Sequence, residues 1–384
     1  MRIALDARYA NGRGSGIGSY TLNLARALVD ADASVELILV RGAAGPTPLV
    51  ASPRVREVRF PFAPNSPFTR WLLGPALRSQ RFNVYHSPFA VTPEGLRAPV
   101  VATIHDVMWM VNPRLISHSR VTRLVGGIFH RASLRATMAR ADRILTVSET
   151  SRSAIAAQWP SRASSIRVAA NGVDLTTYRR MDSDEAYQAL GGVVAPGTRF
   201  VLTVGDASPH KNHVRAVAAF AEAFRDKPDY RMILARRFGR IDTAFSRLLE
   251  TPGLAGRVIV LPHVDPARLN ALYNAAHIYL HPSTYEGFGI PILEAMAVGT
   301  PVVTSSTGAL AEVAGDAALL VDPLDVGSIA AALDRLDRDP AERARLVAAG
   351  RERAAGFTWA ACARATLAVY REAVADASLA RGGR

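Results

Sequence analysis

The sequence lacks several features on which common protein classes depend. One of its 384 residues is cysteine, Cys362, so no disulfide can form within the chain, and a reducing compartment suits it. No run of about 18 apolar residues is present, which excludes an ordinary membrane-spanning helix. The first residues, Met1 to Asp6, predict a strand followed by charged residues and lack the apolar core of a secretory signal. We therefore expect a cytoplasmic protein.

Lysine is also scarce, and the positive charge is unevenly distributed. Two of the 46 basic residues are lysines, Lys211 and Lys227. Residues 1–190 have a net charge of +11, and residues 191–384 have a net charge of +2. A positive surface attracts anionic lipids, phosphorylated molecules or nucleic acid. With no known nucleic-acid-binding motif, we expect no nucleic acid partner. The sequence leaves open whether this half contacts the inner face of the membrane peripherally or exposes a solvated basic surface.

The length of the chain predicts two domains, because single cores stop growing near about 250–300 residues. Its residues are 49% hydrophobic and 21% charged, which suits packed cores. A polar and then Gly/Pro-rich stretch at 181–198 predicts a linker. We expect an N-terminal domain at 1–180, a C-terminal domain at 199–358, and a last helix at 359–384 that can pack on either domain.

Apolar strand patterns alternate with helical patterns in both halves. The strands predicted in this way are Ile3–Leu5, Val35–Val40, Val84–His86, Val100–Ile104, Arg143–Val147, Arg199–Val204, Met232–Leu234, Val258–Leu261, Ile278–Leu280, Pro301–Thr304 and Leu319–Val321. This alternation predicts an α/β fold with two Rossmann-like, doubly wound parallel sheets. Ligands bind such sheets at the carboxyl ends of the strands, so we expect the two domains to face each other across a cleft.

The strongest site signal follows the strand Ile278–Leu280. The segment from Glu286 to Glu294 contains a Gly-x-Gly turn and Pro291, a residue typical of the first position of a helix. A phosphate at that helix start would meet unpaired backbone N–H groups and the positive end of the helix dipole. The two carboxylates, eight positions apart, can accept hydrogen bonds from sugar or ribose hydroxyls.

This segment resembles the Glu-x7-Glu signature of retaining GT-B glycosyltransferases. Further segments resemble glycosyltransferase family 4 in the same order along most of the chain: Gly16-Ile17-Gly18-Ser19-Tyr20, His105-Asp106, Leu145-Thr146-Val147-Ser148-Glu149, Asn171-Gly172-Val173-Asp174, Pro209-His210-Lys211-Asn212 and Ala297-Val298-Gly299-Thr300-Pro301-Val302-Val303. Several motifs in the right order are far more specific than one. The resemblance implies the GT-B fold and points to the mannosyltransferase-like branch of the family.

The resemblance also implies roles for single residues. Glu286 would contact hydroxyls of the donor sugar, Glu294 would bind the ribose, and Lys211 would neutralise the diphosphate. His105, at the end of the strand Val100–Ile104, would contact the donor sugar near the reaction centre. Backbone groups near the sugar and diphosphate are implied for Gly287, Phe288, Gly289 and Ile290.

Two further parts of the nucleotide site are less regular. The loop from Gly12 to Gly18 follows the first strand, and its glycines, Gly16 and Gly18 among them, let the backbone approach a diphosphate. Many relatives have an arginine where this chain has Asp206. A carboxylate aimed at a diphosphate would be repelled, so we expect Asp206 to turn away and Arg236 or Arg237 to supply the charge.

The resemblance implies retaining transfer of a hexosyl group from a nucleotide-diphosphate sugar, for which we take GDP-mannose, to a glycan or lipid-linked acceptor in surface polysaccharide synthesis. It implies no cofactor and no essential metal; the Asp-x-Asp pair at Asp182 and Asp184 lies in the expected linker. A nucleotide-sugar epimerase of the same fold stays open as an alternative. A Rossmann oxidoreductase is disfavoured, because the N-terminal glycines do not follow Gly-x-Gly-x-x-Gly spacing.

Overall fold

Thirteen strands form two parallel sheets in the computed structural model, which describes residues 1–11, 16–43, 48–116, 119–237 and 243–382. The chain divides into two compact units. The first consists of Met1–Val111, Val121–Gly172 and Trp359–Arg384, and the second consists of Asn112–Arg120 and Val173–Thr358. The predicted α/β class with two Rossmann-like sheets is confirmed.

The first unit is built on a seven-stranded sheet. Its strands are β1 (Arg2–Asp6), β2 (Glu36–Arg41), β3 (Val55–Arg59), β4 (Val84–Ser87), β5 (Val100–Thr103), β6 (Arg143–Thr146) and β7 (Ile166–Val168). Its helices are α1 (Gly16–Ala31), α2 (Pro67–Ala76), α3 (Met108–Val111), α4 (Arg120–Arg140) and α5 (Glu149–Gln158). The strand order is β3-β2-β1-β4-β5-β6-β7, so the direction of winding reverses between β1 and β4.

The apolar residues of this sheet point alternately to its two faces. On β1, Ile3 and Leu5 belong to one buried cluster together with residues of α1, whereas Ala4 belongs to a second cluster that contains Leu134 and Met138 of α4. Both faces are covered, so the strands are almost continuously apolar. This pattern is why most of them could be predicted.

The second unit repeats the plan with six strands. They are β8 (Phe200–Asp206), β9 (Arg231–Arg237), β10 (Val258–Leu261), β11 (Ile278–His281), β12 (Val302–Ser305) and β13 (Leu319–Val321). The helices are α6 (Ser183–Leu190), α7 (His213–Ala223), α8 (Thr243–Leu249), α9 (Pro266–Ala275), α10 (Ile290–Val298), α11 (Gly308–Ala314), α12 (Val326–Arg338) and α13 (Pro340–Ala355). The order β10-β9-β8-β11-β12-β13 reverses between β8 and β11, which places the loops after these two strands side by side.

The stretch expected to be a linker, 181–198, contains α6 and belongs to the second unit, which begins at Val173. Asp182 caps this helix by accepting a hydrogen bond from the backbone N–H of Glu185, and Gly191 ends it in the left-handed conformation. Its buried residues, Ala186 and Leu190, hold it in the fold. The polar and Gly/Pro-rich residues that suggested a linker are therefore the caps and flanks of a packed helix.

The last helix, α14 (Trp359–Gly382), belongs to the first unit. Its residues Cys362, Leu367 and Tyr370 are buried in the same cluster as Ile3 and Leu5. The chain therefore passes into the second unit and returns to complete the first.

The sequence analysis missed two strands, β3 and β7. β3 has the sequence Val-Arg-Glu-Val-Arg, in which polar residues interrupt the apolar pattern, and β7 has three residues. Both lie at an edge of the sheet, where a strand needs less apolar surface than in the centre.

Candidate active site

The turn after β8 positions Lys211. Residues Pro209–Lys211 form a short 3-10 turn, and the next residue, Asn212, has a φ of 60°. The amide nitrogen of the Asn212 side chain donates to the backbone carbonyls of Pro282 at 3.0 Å and Pro323 at 2.6 Å. Asparagine tolerates this left-handed conformation better than most residues. The buried amide thus ties the Lys211 turn to the chain segments that follow β11 and β13.

Lys211 and Glu286 form an ion pair in this region. Lys211 Nζ lies 2.6 Å from Glu286 Oε1, and the two side chains are 15% and 14% exposed. Burial alone would raise the pKa of the Glu286 carboxyl, but the charge of Lys211 and a hydrogen bond from His281 lower this pKa well below its usual range. Glu286 is therefore an ionised, hydrogen-bond-accepting carboxylate across the physiological pH range.

The loop between Glu286 and α10 contains the backbone groups singled out in the sequence. Gly289 has a φ of 109° and caps the amino end of α10, whose first residue is Ile290. A Cβ atom at Gly289 would lie 2.6 Å from Leu310 Cδ2, so the position requires glycine on two grounds. Phe288 is buried, with its ring 5.7 Å from that of Phe357. Gly287 directly follows Glu286, and the first residue of the helix, Ile290, is four residues after Glu286.

Glu294 lies at the middle of α10, and tyrosines surround it. The hydroxyl of Tyr273 donates to Glu294 Oε2 at 2.9 Å, and Tyr178 also hydrogen-bonds this carboxylate. Burial raises the pKa of Glu294 to about 7, against the opposing effect of these two hydrogen bonds. The two glutamates of the motif therefore differ in charge near neutral pH, which spacing in the sequence could not indicate.

Asp206, the departure from the family pattern, ends β8. Its Oδ1 accepts a hydrogen bond from the backbone N–H of Ser208 at 2.8 Å, as an aspartate does at the start of a turn. Burial would raise its pKa, but Lys211 and the bonds from Ser208 lower it. The carboxylate thus shapes the turn that carries Lys211. Arg236 lies in β9, where its backbone pairs with Gly205, but the side chains of Arg236 and Arg237 are outside the described residues.

His105 lies in the first unit, two residues after β5. Its Nε2 donates to the backbone carbonyl of Pro88 at 3.1 Å, and its ring meets the edge of Tyr20 at 4.7 Å between centroids. Burial lowers the pKa of His105 to about 4, so the ring is neutral near pH 7. A carbonyl can only accept, so the single proton is on Nε2 and Nδ1 is a hydrogen-bond acceptor. This lowered pKa reflects burial, which outweighs the opposing effect of the bond to Pro88.

The N-terminal glycines are less informative than expected. Helix α1 begins at Gly16 and includes Gly18, which is buried, so both lie in the first turn of a helix and not in a loop. Neither has a positive φ. The remainder of the glycine-rich segment, residues 12–15, is outside the described residues. A helix amino end still offers backbone N–H groups to an anion.

The structure thus places the predicted residues in two groups. Lys211, Glu286 and the start of α10 lie together in the second unit, whereas His105, Gly16 and Gly18 belong to the first. The sequence analysis missed three residues that support the second group: His281, Asn212 and Tyr273. His281 directly follows the predicted strand Ile278–Leu280, and Asn212 ends the segment that contains Lys211, so their proximity to the motif was a usable signal. Tyr273 is 21 residues from Glu294, and its contact depends on tertiary packing.

Two surveys of the described residues complete the site. Among them, no three His, Cys, Asp or Glu side chains form a group that could hold a metal ion. No helix in the described ranges has both the length and the apolar character needed to cross a membrane.

Comparisons with known proteins identify the family of the chain. The family model described as Glycosyl transferases group 1 matches residues 193–353, and the model described as Glycosyltransferase Family 4 matches residues 14–177. O-antigen chain mannosyltransferase B of Escherichia coli is 32% identical over 301 residues, which cover 77% of this chain and 76% of that protein.

Solved structures share the fold. Anabaena Alr3699/HepE, determined in complex with UDP and glucose, aligns with a TM-score of 0.76 at 21% identity, over 97% of this chain and 100% of that one. Sucrose-phosphate synthase from Thermosynechococcus elongatus aligns with a TM-score of 0.75 at 22% identity, over 98% and 100%. By its sequence and its fold, the chain belongs to glycosyltransferase family 4 and is a glycosyltransferase of the GT-B type.

Proposed function

We propose that the protein is a retaining glycosyltransferase that moves a hexosyl group from a nucleotide-diphosphate sugar to a glycan or lipid-linked acceptor in surface polysaccharide synthesis. The observation that carries the proposal is the 2.6 Å pair of Lys211 and Glu286, three residues before the glycine that caps α10. A cation, a helix amino end and an ionised carboxylate together suit a ligand that has both a diphosphate and sugar hydroxyls.

The chemistry follows from these charges. Cleavage of the donor leaves a nucleoside diphosphate that gains negative charge as the sugar becomes oxocarbenium-like. Lys211 and the backbone N–H groups at the start of α10 stabilise that charge, and they are in place before the reaction begins. Glu286 accepts hydrogen bonds from the sugar hydroxyls and so orients the ring. Attack from the face that the diphosphate leaves retains the anomeric configuration.

GDP-mannose is the donor we propose, since the related Escherichia coli protein is named a mannosyltransferase acting on the O-antigen chain. We propose that transfer needs no divalent metal, because Lys211 and the helix amino end supply the positive charge. Transfer that continues at an unchanged rate in EDTA supports this proposal, and a loss that is restored by Mg²⁺ or Mn²⁺ contradicts it.

In the first unit we propose that His105 Nδ1 accepts a hydrogen bond from a hydroxyl of the donor sugar, because the bond to Pro88 leaves this atom as an acceptor. Gly16 and Gly18, in the first turn of α1, and Arg236, at the end of β9, are proposed to contact the diphosphate.

Helix α4 supports a peripheral contact with an anionic membrane. Leu124, Val125 and Ile128 are each more than 60% exposed. Arg131 and Arg135 continue the same helical face at i+3 and i+7 from Ile128. On an anionic membrane, the apolar side chains would enter the lipid interface, and the neighbouring arginines would contact lipid phosphates. Sedimentation with phosphatidylglycerol vesicles tests this: replacing the three apolar residues by serine weakens binding, and replacing the exposed Leu379 does not.

A thermal-shift panel of UDP-, GDP-, ADP- and dTDP-sugars tests the main proposal. We expect one nucleotide class to stabilise the parent protein, and Lys211→Ala and Glu286→Ala to reduce the shift. Removing Lys211 is expected to lower transfer on the order of 100-fold. Lys227→Ala is the matched control, because this lysine pairs with Asp337 in the same unit. A folded parent that responds to no donor contradicts the proposal, and conversion of the donor sugar without an acceptor points to an epimerase.

A further inference from the structure

The end of β11 contains a buried histidine beside the active-site carboxylate. His281 is 1% exposed and lies two residues after Tyr279, so the two side chains share one face of the strand. The Tyr279 hydroxyl lies 3.0 Å from His281 Nδ1, and His281 Nε2 lies 3.2 Å from Glu286 Oε1. The three residues thus form a continuous hydrogen-bonded series that ends at the carboxylate.

The directions of these hydrogen bonds can be deduced. Burial lowers the pKa of His281, although Glu286 opposes this effect, so the ring is neutral near pH 7 and has one proton. Glu286 is ionised and can only accept, which places the proton on Nε2. Nδ1 is then an acceptor, and the hydroxyl of Tyr279 donates to it. Glu286 thus sets the tautomer, and the bond from Tyr279 fixes the orientation of the ring. Ser283 Oγ also lies 3.3 Å from His281 Nε2.

Glu286 has two side-chain partners among the described residues, and both donate to the same oxygen. Lys211 Nζ lies 2.6 Å and His281 Nε2 lies 3.2 Å from Glu286 Oε1. A diphosphate competes with Glu286 for the charge of Lys211, because its oxygens are strong acceptors for an ammonium group. When Lys211 turns to the diphosphate, His281 is the partner that stays, since its ring is buried and held at both nitrogens.

We propose that His281, which Tyr279 holds by a hydrogen bond, is a positioning residue. It orients the Glu286 carboxylate toward the donor sugar while Lys211 binds the diphosphate. The inference rests on the proposed function. It assigns to His281 the support of Glu286, the carboxylate that faces the donor sugar. Its consequence is a separation of roles: disturbing His281 harms the sugar-dependent step and leaves recognition of the nucleotide intact.

Two amide substitutions of His281 test this separation. The amide nitrogen of His281→Gln can reach the position of Nε2 and donate to Glu286. The amide of His281→Asn is shorter and can reach only the position of Nδ1. Both variants bury a neutral amide of similar cost, so they differ mainly in the bond to Glu286. Thr304→Val is the matched control, because the Thr304 hydroxyl donates to the backbone carbonyl of His281 at 2.8 Å and does not contact Glu286.

The readouts are donor cleavage and nucleotide affinity. Cleavage is followed as release of nucleoside diphosphate from the donor that stabilises the parent, and affinity is measured by calorimetry with the free nucleoside diphosphate. We expect His281→Asn to lower kcat about tenfold or more, as the loss of an orienting neighbour does at metal sites, and His281→Gln to stay within about threefold of the parent. Nucleoside diphosphate affinity stays within about twofold in both variants and in Thr304→Val.

Tyr279→Phe gives an independent measurement. It keeps the ring and removes the hydroxyl that fixes His281, so we expect a smaller fall in kcat in the same direction, again without loss of nucleotide affinity.

The outcomes separate this inference from the proposed function. Equal kcat values for His281→Asn and His281→Gln, or a parallel loss of kcat and nucleotide affinity, overturn the inference while the proposed function stands. A folded parent that binds no nucleotide-sugar overturns both.

Discussion

Glu286 and Glu294 belong to one sequence motif but lie in opposite electrostatic surroundings. Glu286 meets a lysine and a histidine N–H, which favour its ionised form and hold its pKa well below the usual range. Glu294 is buried among tyrosine hydroxyls, and burial raises its pKa to about 7. At the residue scale, therefore, the partners of each carboxylate decide its charge, and its place in the motif does not.

The raised pKa of Glu294 predicts a pH dependence of stability. Between pH 4.5 and about 7 the unfolded chain has lost this proton while the folded protein keeps it, so the contribution of Glu294 to stability falls as pH rises through this window. The free energy of unfolding of the parent minus that of Glu294→Gln should be smaller at pH 8 than at pH 5, by about 2 kcal/mol. Denaturant unfolding at the two pH values measures this difference.

Glu286→Gln is the control of opposite sign. The folded-state pKa of Glu286 is depressed, so its ionised form contributes stability above the unfolded pKa of 4.5 that is lost as pH falls through the folded value. The stability that the parent has over Glu286→Gln should therefore be nearly equal at pH 8 and pH 5, and smaller at about pH 3. If the parent and Glu294→Gln differ in unfolding free energy by the same amount at pH 5 and pH 8, the raised pKa assigned to Glu294 is contradicted.

At the scale of elements, the site depends on turns that are tied to one another. Two loops follow the adjacent strands β8 and β11, and the side chain of Asn212 connects the first loop to the second and to the segment after β13. These hydrogen bonds are buried, so their loss is costly. The turn chemistry thereby fixes the distance between Lys211 and Glu286.

Substitution of Asn212 tests this connection. Asn212→Gly and Asn212→Ala both remove the two buried hydrogen bonds to Pro282 and Pro323, each worth about 1 kcal/mol, and a part-buried one from Arg215 at 3.1 Å. Only alanine is strained at a φ of 60°. We expect a loss of about 2 kcal/mol of unfolding free energy for glycine and about 1 kcal/mol more for alanine. Both should weaken the Lys211-dependent stabilisation by the donor. Equal unfolding free energies for the two variants would show that the strain is absent.

Gly289→Ala tests the start of α10. The new Cβ would be strained at a φ of 109° and would press on Leu310, which is buried, so we expect a loss of about 2–3 kcal/mol and weaker nucleotide binding. Gly197→Ala is the control, since its φ is 79° and its Cβ would meet nothing within 4 Å. Its expected loss is about 1 kcal/mol. Similar losses for the two variants would contradict the contact with Leu310.

At the scale of the whole molecule, the first unit is completed by the last segment of the chain. Helix α14 buries Leu367 and Tyr370 against the first sheet, and the Tyr370 hydroxyl lies 2.6 Å from His86 Nδ1. The second unit, by contrast, draws its sheet and helices α6–α13 from one continuous range, 173–358. The folding of the first unit therefore needs residues from both ends of the chain.

Removal of residues 359–384 should therefore destabilise the first unit and leave the second unit unchanged. We expect hydrogen exchange in β1, β4 and β5 to lose protection, because an apolar face is left uncovered, while β8 and β11 stay protected. Removal of 378–384 alone is the control, since Ser378, Leu379 and Ala380 are exposed. Equal loss of protection in both sheets would contradict this division, and mass spectrometry of peptides from each strand measures it.

The sequence was sufficient for the fold and for the position of the motif. Central strands of a sheet covered on both faces must be apolar over most of their length, so β1, β8 and β11 could be predicted from local composition. Glycine and proline at fixed offsets likewise predicted the start of α10. These features depend on interactions between residues close together in the chain.

The tertiary structure decided what the side chains of the site do. Lys211 and Glu286 are 75 residues apart, Tyr273 and Glu294 are 21 apart, and His86 and Tyr370 are 284 apart, so no local pattern could pair them. The charge of each carboxylate and the tautomer of His281 follow from those pairings, since burial and the nearest donor set a pKa. The sequence by itself thus determined which elements form, and the packing of distant segments determined the chemistry at their ends.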